Sequence, residues 1–178
     1  MDLIGHQARE KWMGEQILTL ADLIPTHPKA LVIGINPAPT SVAAGHYYQG
    51  RLGQQFYDRL RTAGVLDTSH HEWEDDDAYA SGIGFTDIIK RPTRSADDLR
   101  PEEYAHGEAA LRQRIEKDAP ALVIFTFKKT AEKLLGRFEG SGSLAGRICG
   151  AAVFVMPGPY AARAVVQKQL SDLRDNLC

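Results

Sequence analysis

Cysteine and long apolar runs are scarce in this 178-residue chain. The only two cysteines, Cys149 and Cys178, stand far apart, and one is terminal. That excludes a cysteine-built metal or cluster framework and argues against a structural disulfide, which fits a reducing compartment. No stretch reaches the roughly 18 apolar residues of a membrane-spanning helix. Residues 1–15 are polar and lack the apolar core of a signal peptide. Neither sign of charge dominates: the net charge is −2 with 25% charged residues. Such a balance neither demands nor forbids a nucleic-acid partner, because a small basic face sits readily on an acidic body. There is no internal repeat and no low-complexity segment. The expectation is a single cytoplasmic domain spanning residues 1–178, large enough to bury its own core.

Apolar periodicity predicts the elements. Trp12, Ile17, Leu20, Leu23 and Ile24 at helical spacing predict an N-terminal helix over 7–24, ended by Pro25. A core of alternating strands and helices is expected over 30–177. Its strands fall at about 30–35, 84–89 and 121–126, with a strand pair at 147–149 and 152–156. Its helices fall at about 54–63, 101–117, 128–135 and 161–177, and a short helix and loop fill the Asp-rich stretch 67–82. Residues 137–146 read as a Gly/Ser loop. Alternating strands and helices predict a three-layer α/β/α sandwich around a central, mostly parallel sheet of four to five strands.

The stretch from Gly34 to Tyr57 is the most informative. An apolar run, Ala30–Ile33, enters a loop of small residues headed by Asn36 and carrying Tyr47 and Tyr48. Open α/β sheets place ligands in such loops, beyond the carboxyl ends of their strands. An amide, backbone N–H groups and aromatic faces at one spot suit a flat polar ring such as a nucleobase.

Gly34-Ile35-Asn36-Pro37, then Ser41, Gly45-His46-x-Tyr48-x-Gly50 and Phe56-Tyr57, resemble the first motif of the mismatch-specific uracil/thymine-DNA glycosylases, of the uracil-DNA glycosylase superfamily. Gly84–Ile89 followed by Arg91-Pro92-Thr93, and Pro157 with the small residues after it, continue the likeness over roughly residues 30–175. The resemblance implies a monofunctional glycosylase without cofactor or metal. It would flip uracil, mispaired thymine or a related damaged pyrimidine from duplex DNA and hydrolyse the N-glycosidic bond, as a monomer acting on the nucleoid. It implies that Asn36 holds the attacking water, with Ile35, Ser41 and Tyr48 around the base and Tyr48 stacking on it. It places Pro157, Gly158, Pro159, Tyr160 and Arg163 in a loop that inserts into DNA, with Tyr160 as wedge. The family's pattern is departed from at Pro159, and at Phe127, where a glycine is common. No lysine stands in the motif to form a Schiff base, so strand cleavage is not expected.

Each residue also has a plainer reading. Asn36-Pro37 is a good turn in its own right. Asp87, which alternation places on one face with Phe85 and Ile89, activates the water or stabilises positive charge on the sugar, or else caps the strand or pairs with Arg91. Tyr47 and Tyr48 suit a core, Ser41 a loop cap, and residues 156–163 a strand-to-helix turn. Lys90, Arg91, Arg94, Lys128, Lys129 and Arg163 follow predicted strand ends and form a candidate phosphate-binding face, although single surface cations are common. His70-His71-x-x-Glu74-Asp75-Asp76-Asp77 reads as a solvated segment, because no partner stands at metal spacing. Two rival functions remain: a DNA-lesion-binding module without catalysis, and a hydrolase of free nucleosides.

Overall fold

A computed structural model describes residues 2–67 and 69–177. The chain opens with a hairpin, not the helix expected over 7–24. β1 (Gln7–Trp12) and β2 (Glu15–Leu20) pair antiparallel, with Trp12 opposite Glu15. The cause lies between them. Met13 and Gly14 have φ of 47° and 94°, the left-handed pair of a two-residue hairpin turn. The apolar spacing that mimics a helix comes from side chains that serve different neighbours. Trp12 packs on one core cluster and Leu20 on the other.

The central sheet is built from β3 (Ala30–Gly34), β4 (Ile83–Asp87), β5 (Leu122–Phe125), β6 (Gly142–Ile148) and β7 (Ala151–Val155). Their order is β4-β3-β5-β7-β6, parallel except for β6. The expected three-layer α/β/α fold is what forms. Between strands run α1 (Pro39–Ala44), α2 (Arg51–Thr62), α3 (Glu74–Ala80), α4 (Pro101–Asp118) and α5 (Lys128–Leu135), and α6 (Arg163–Leu177) closes the chain. The stretch 137–146 is not all loop as expected: residues 142–146 belong to β6, whose antiparallel pairing with β7 begins at Gly142.

Strand alternation sorts the core. Ala30, Val32, Phe85, Leu122, Ile124 and Phe154 face α2 and α6, meeting Phe56, Leu60, Leu170 and Leu173. Leu31, Ile33, Val123, Phe125 and Val153 face the other way, meeting Leu111 and Ile115 of α4 and Leu134 of α5. Both faces are covered, which is why these strands are continuous apolar runs. β4 ends at Asp87, and Ile88 and Ile89 both turn into the second cluster. Ile89 therefore does not share a face with Asp87 as alternation implied. Leu23 exchanges two backbone hydrogen bonds with Phe85 and so covers the outer edge of β4.

One buried charge ties these layers together. The Glu103 side chain is fully buried. It accepts from Arg91 Nε at 2.7 Å and Nη2 at 2.6 Å, from Trp12 Nε1 at 3.2 Å and from the Arg100 amide at 3.0 Å. The Arg91 guanidinium is the main reason its pKa falls to about 2. This contribution to stability is complete above the ordinary carboxylate range and is lost as pH falls toward 2. Glu103→Ala should cost about 3 kcal/mol at neutral pH, because it strands Arg91 and the Trp12 N–H. Urea unfolding tests this, and a loss under about 1 kcal/mol contradicts it.

Candidate active site

A cavity of about 660 Å³ opens at the carboxyl ends of β3, β4, β5 and β7. Its walls draw on segments far apart in sequence. They include the loop Gly34–Ala38, Ser41 of α1, the Tyr47–Tyr48 turn, the start of α2, Asp87 at the end of β4, the stretch with Thr93 and Arg94, and the residues just after β5 and β7. Parallel strands all end on this edge, so loops far apart in sequence converge there.

Asn36 is held by its amide nitrogen. Nδ2 donates to the Arg91 carbonyl at 2.9 Å and to Thr93 Oγ1 at 2.8 Å. Thr93 Oγ1 itself donates to the Ser95 carbonyl at 2.7 Å, so toward Asn36 it must accept. This settles which end of the carboxamide is nitrogen and leaves Oδ1 as the acceptor for something else. A carboxamide oxygen fixed in this way can orient a water but cannot take its proton usefully near neutrality.

Asp87 is a carboxylate lining the same cavity. It is 4% exposed, and its Oδ1 has no hydrogen-bond partner among the described residues. Burial raises its pKa to about 7, with Lys90 opposing the shift and Asp22 adding to it. The Tyr48 hydroxyl is likewise buried and without a hydrogen-bond partner among the described residues. Burial first, then Asp87, pushes its pKa well above the ordinary value. Both atoms converge over Gly34: a Cβ there would lie 2.2 Å from Asp87 Oδ1 and 3.0 Å from Tyr48 Oη. Unsatisfied polar atoms at the floor of a cavity are costly unless a ligand or water completes them. Asp87 does not pair with Arg91, whose guanidinium is committed to Glu103.

Tyr48 sits at φ 60°, an uncommon conformation for a bulky residue and a mark of local strain. Its ring meets Phe56 and Phe85 edge-on at 5.4 and 5.7 Å. The first turn of α2 approaches it so closely that a Cβ on Gly53 would fall 2.1 Å from the Tyr48 carbonyl oxygen. Gly53→Ala should therefore displace Tyr48 and weaken ligand binding by tenfold or more, about 1.4 kcal/mol. Titration of both proteins with a ligand of the cavity measures this, and unchanged affinity removes Tyr48 from the site. Tyr47 belongs to the core. It is 1% exposed and its hydroxyl donates to the Ala21 carbonyl. Ser41 lines the cavity and also holds the loop, accepting from the Gln49 amide at 3.0 Å. Ile35 lines the wall, and its carbonyl accepts from Ile89.

The rim corrects the expected phosphate set. Lys90 is buried and ion-paired with Asp22, and its carbonyl accepts from Thr19 Oγ1. Arg91 is taken by Glu103. Lys128 stands near Glu132 and over the Phe138 ring. Of the expected cations, Arg94 and Lys129 line the cavity. Arg51 and Arg59 line it too and were missed: Arg51 precedes the helix expected over 54–63 and Arg59 lies within it, so neither follows a predicted strand end. Arg59 donates to the Pro157 carbonyl at 2.5 Å and the Gly158 carbonyl at 3.0 Å. It thereby fixes the loop that carries Pro159 into the cavity wall, and the next residue, Tyr160, is 95% exposed. Arg163 opens α6 along a second groove, shared with Arg59 and Arg174.

A further correction concerns Asp75 and Asp76, which do have partners: His6 and His46 fold against them.

The family model described as the uracil DNA glycosylase superfamily matches residues 21–176. The chain is also similar to a G/U mismatch-specific uracil DNA glycosylase of Schizosaccharomyces pombe (strain 972 / ATCC 24843), 30% identical over 106 residues. The match covers 58% of this chain and 32% of that relative, so it spans about a third of the relative's length.

Proposed function

This chain belongs to the uracil DNA glycosylase superfamily, and on that premise we propose that it is a monofunctional DNA glycosylase acting on uracil mispaired with guanine. One observation carries the reading. At the floor of a cavity of about 660 Å³, an oriented amide oxygen and a buried carboxylate oxygen with no hydrogen-bond partner among the described residues share the space, and the loop that carries the exposed Tyr160 borders it.

Flipping the nucleotide costs a few kcal/mol, least for a mispaired base, which supplies part of the selectivity. Tyr48 and Phe56 give the extruded ring an aromatic wall. Asn36 Oδ1 orients a water toward the sugar C1′, and ionised Asp87 draws off its proton as the glycosidic bond breaks. Negative charge developing on the leaving base is met by backbone N–H groups after Asn36. Pro37 and Pro39 have none, which leaves this to Ala38, Thr40 and Ser41. Arg51, Arg94 and Lys129 at the rim face the strand's phosphates. Incubation with labelled duplexes holding G·U, G·T or A·U, followed by alkaline cleavage of abasic sites, tests the activity. Duplex binding without any abasic product favours the non-catalytic module, and cleavage of free nucleosides favours the hydrolase.

The wedge has its own test. Tyr160→Ala should slow excision from paired duplexes about tenfold more than from single strands or bulges, because only the former need the gap held open. Equal losses on both substrates would leave Tyr160 without that role.

A further inference from the structure

Outside the cavity, two imidazoles and two carboxylates meet behind the Tyr47–Tyr48 turn. His6 Nε2 lies 2.8 Å from Asp76 Oδ1 and 3.9 Å from Asp75 Oδ2. His46 Nδ1 lies 2.9 Å from Asp75 Oδ1 and 3.9 Å from Asp76 Oδ2. One ligand atom from each of the four residues falls within 4.8 Å of all the others. Ligand atoms of a tetrahedral zinc ion are about 3.3 Å apart, given bonds near 2.0 Å, so the shell closes when the hydrogen-bonded pairs open slightly and the longer pairs draw in.

The setting is built, not incidental. Gly5 and Gly45 both have positive φ, 50° and 78°. A Cβ on Gly45 would lie 2.5 Å from the Ile4 carbonyl oxygen, and one on Gly5 would lie 2.8 Å from His46 Nε2. Only glycine at both places lets the N-terminal segment press against this turn, where the His6 amide donates to the Gly45 carbonyl at 2.7 Å. His46 is stacked flat on Trp73, at 4.3 Å between ring centres. Asp75 is fully buried and accepts from the Tyr47 amide at 2.8 Å, the kind of outer hydrogen bond that fixes a ligating carboxylate. Three separate segments thus deliver four pre-oriented donors.

The geometry points to a structural site for a divalent transition ion of the zinc class, held by His6, His46, Asp75 and Asp76. Two imidazoles and two carboxylates suit Zn²⁺ over the harder Mg²⁺ and Ca²⁺. With all four positions filled by protein the ion is not a reaction centre. It cross-links the N-terminal segment, the turn bearing Tyr48 and the start of α3, and so braces one cavity wall. Each imidazole binds through the nitrogen now facing a carboxylate and keeps or takes its proton on the other nitrogen.

Untagged, chelator-treated full-length protein should bind one Zn²⁺ per chain by calorimetry. Its melting temperature should rise by about 5–10 °C at a hundredfold excess over Kd. Co²⁺ in its place should give the visible absorption of a four-coordinate site. The double variant His6→Gln, Asp76→Asn alters the two less buried ligands and spares the core. It should fold, and it should lose the Co²⁺ absorption and the zinc-dependent rise. Absence of saturable binding by the unaltered protein overturns the site, as does binding and absorption undiminished in the double variant. Mg²⁺ or Ca²⁺ producing the same rise as Zn²⁺ overturns the assigned class of ion.

Discussion

Asp87→Asn should slow single-turnover excision by roughly 10²-fold or more at pH 8, the usual cost of losing a general base. The substitution keeps size and removes charge. Asp87→Ala should lose at least as much. The pH profile gives the sharper test. Burial raises the Asp87 pKa to about 7, so the carboxylate that accepts a proton is scarce below that pH. The rate for free enzyme and substrate should climb with pH through about 7 and then level, and the Asp87→Asn profile should lack this rise. Stability should move the opposite way. A carboxyl whose folded pKa exceeds its unfolded one binds more protons when folded, so its net effect on stability worsens as pH rises from about 4 through about 7. Asp87→Asn should therefore melt higher than the unaltered protein at pH 8, by a gain of up to a few kcal/mol. A variant with near-normal excision at pH 8 removes Asp87 from the reaction, whatever its melting temperature.

Asn36→Ala should lower excision by about 10²-fold with duplex affinity nearly unchanged, because it misplaces the water without touching a phosphate contact. A structural cost accompanies it. The Arg91 carbonyl and Thr93 Oγ1 lose their donor, worth about 1 kcal/mol. Thr93→Val offers the separating measurement. It keeps Asn36 but removes one of the two anchors, so excision should fall by an intermediate factor while duplex affinity holds. Asn36→Ala activity within about threefold of the unaltered protein would end the assignment of Asn36 as water holder.

Both predictions bear on residues visible in the sequence. Asn36 heads a Gly-x-Asn-Pro loop after an apolar run, and Asp87 interrupts an apolar strand. Local pattern is enough for such features, since strand, loop and residue type lie within a few positions of one another. The same is true of the sheet. Runs such as Ala30–Ile33 and Leu122–Phe125 are buried on both faces, and their composition says so.

Where pattern and structure part, the missing information is long-range. Residues 7–24 show helical spacing, but the turn at Met13-Gly14 and the split of Trp12 and Leu20 between two clusters decide for a hairpin. Lys90 and Arg91 look like rim cations until Asp22 and Glu103, distant in sequence, take them. His6 and His46 reach Asp75 and Asp76 only because two glycines allow a backbone crossing. Sequence alone determined the layered α/β class and named Asn36 and Asp87, which the fold brings to one cavity, because period and residue type are local quantities. Tertiary structure decided which charges are free, which are spent in pairs and what pKa Asp87 carries. Those depend on burial and on partners that only folding brings within a few ångströms.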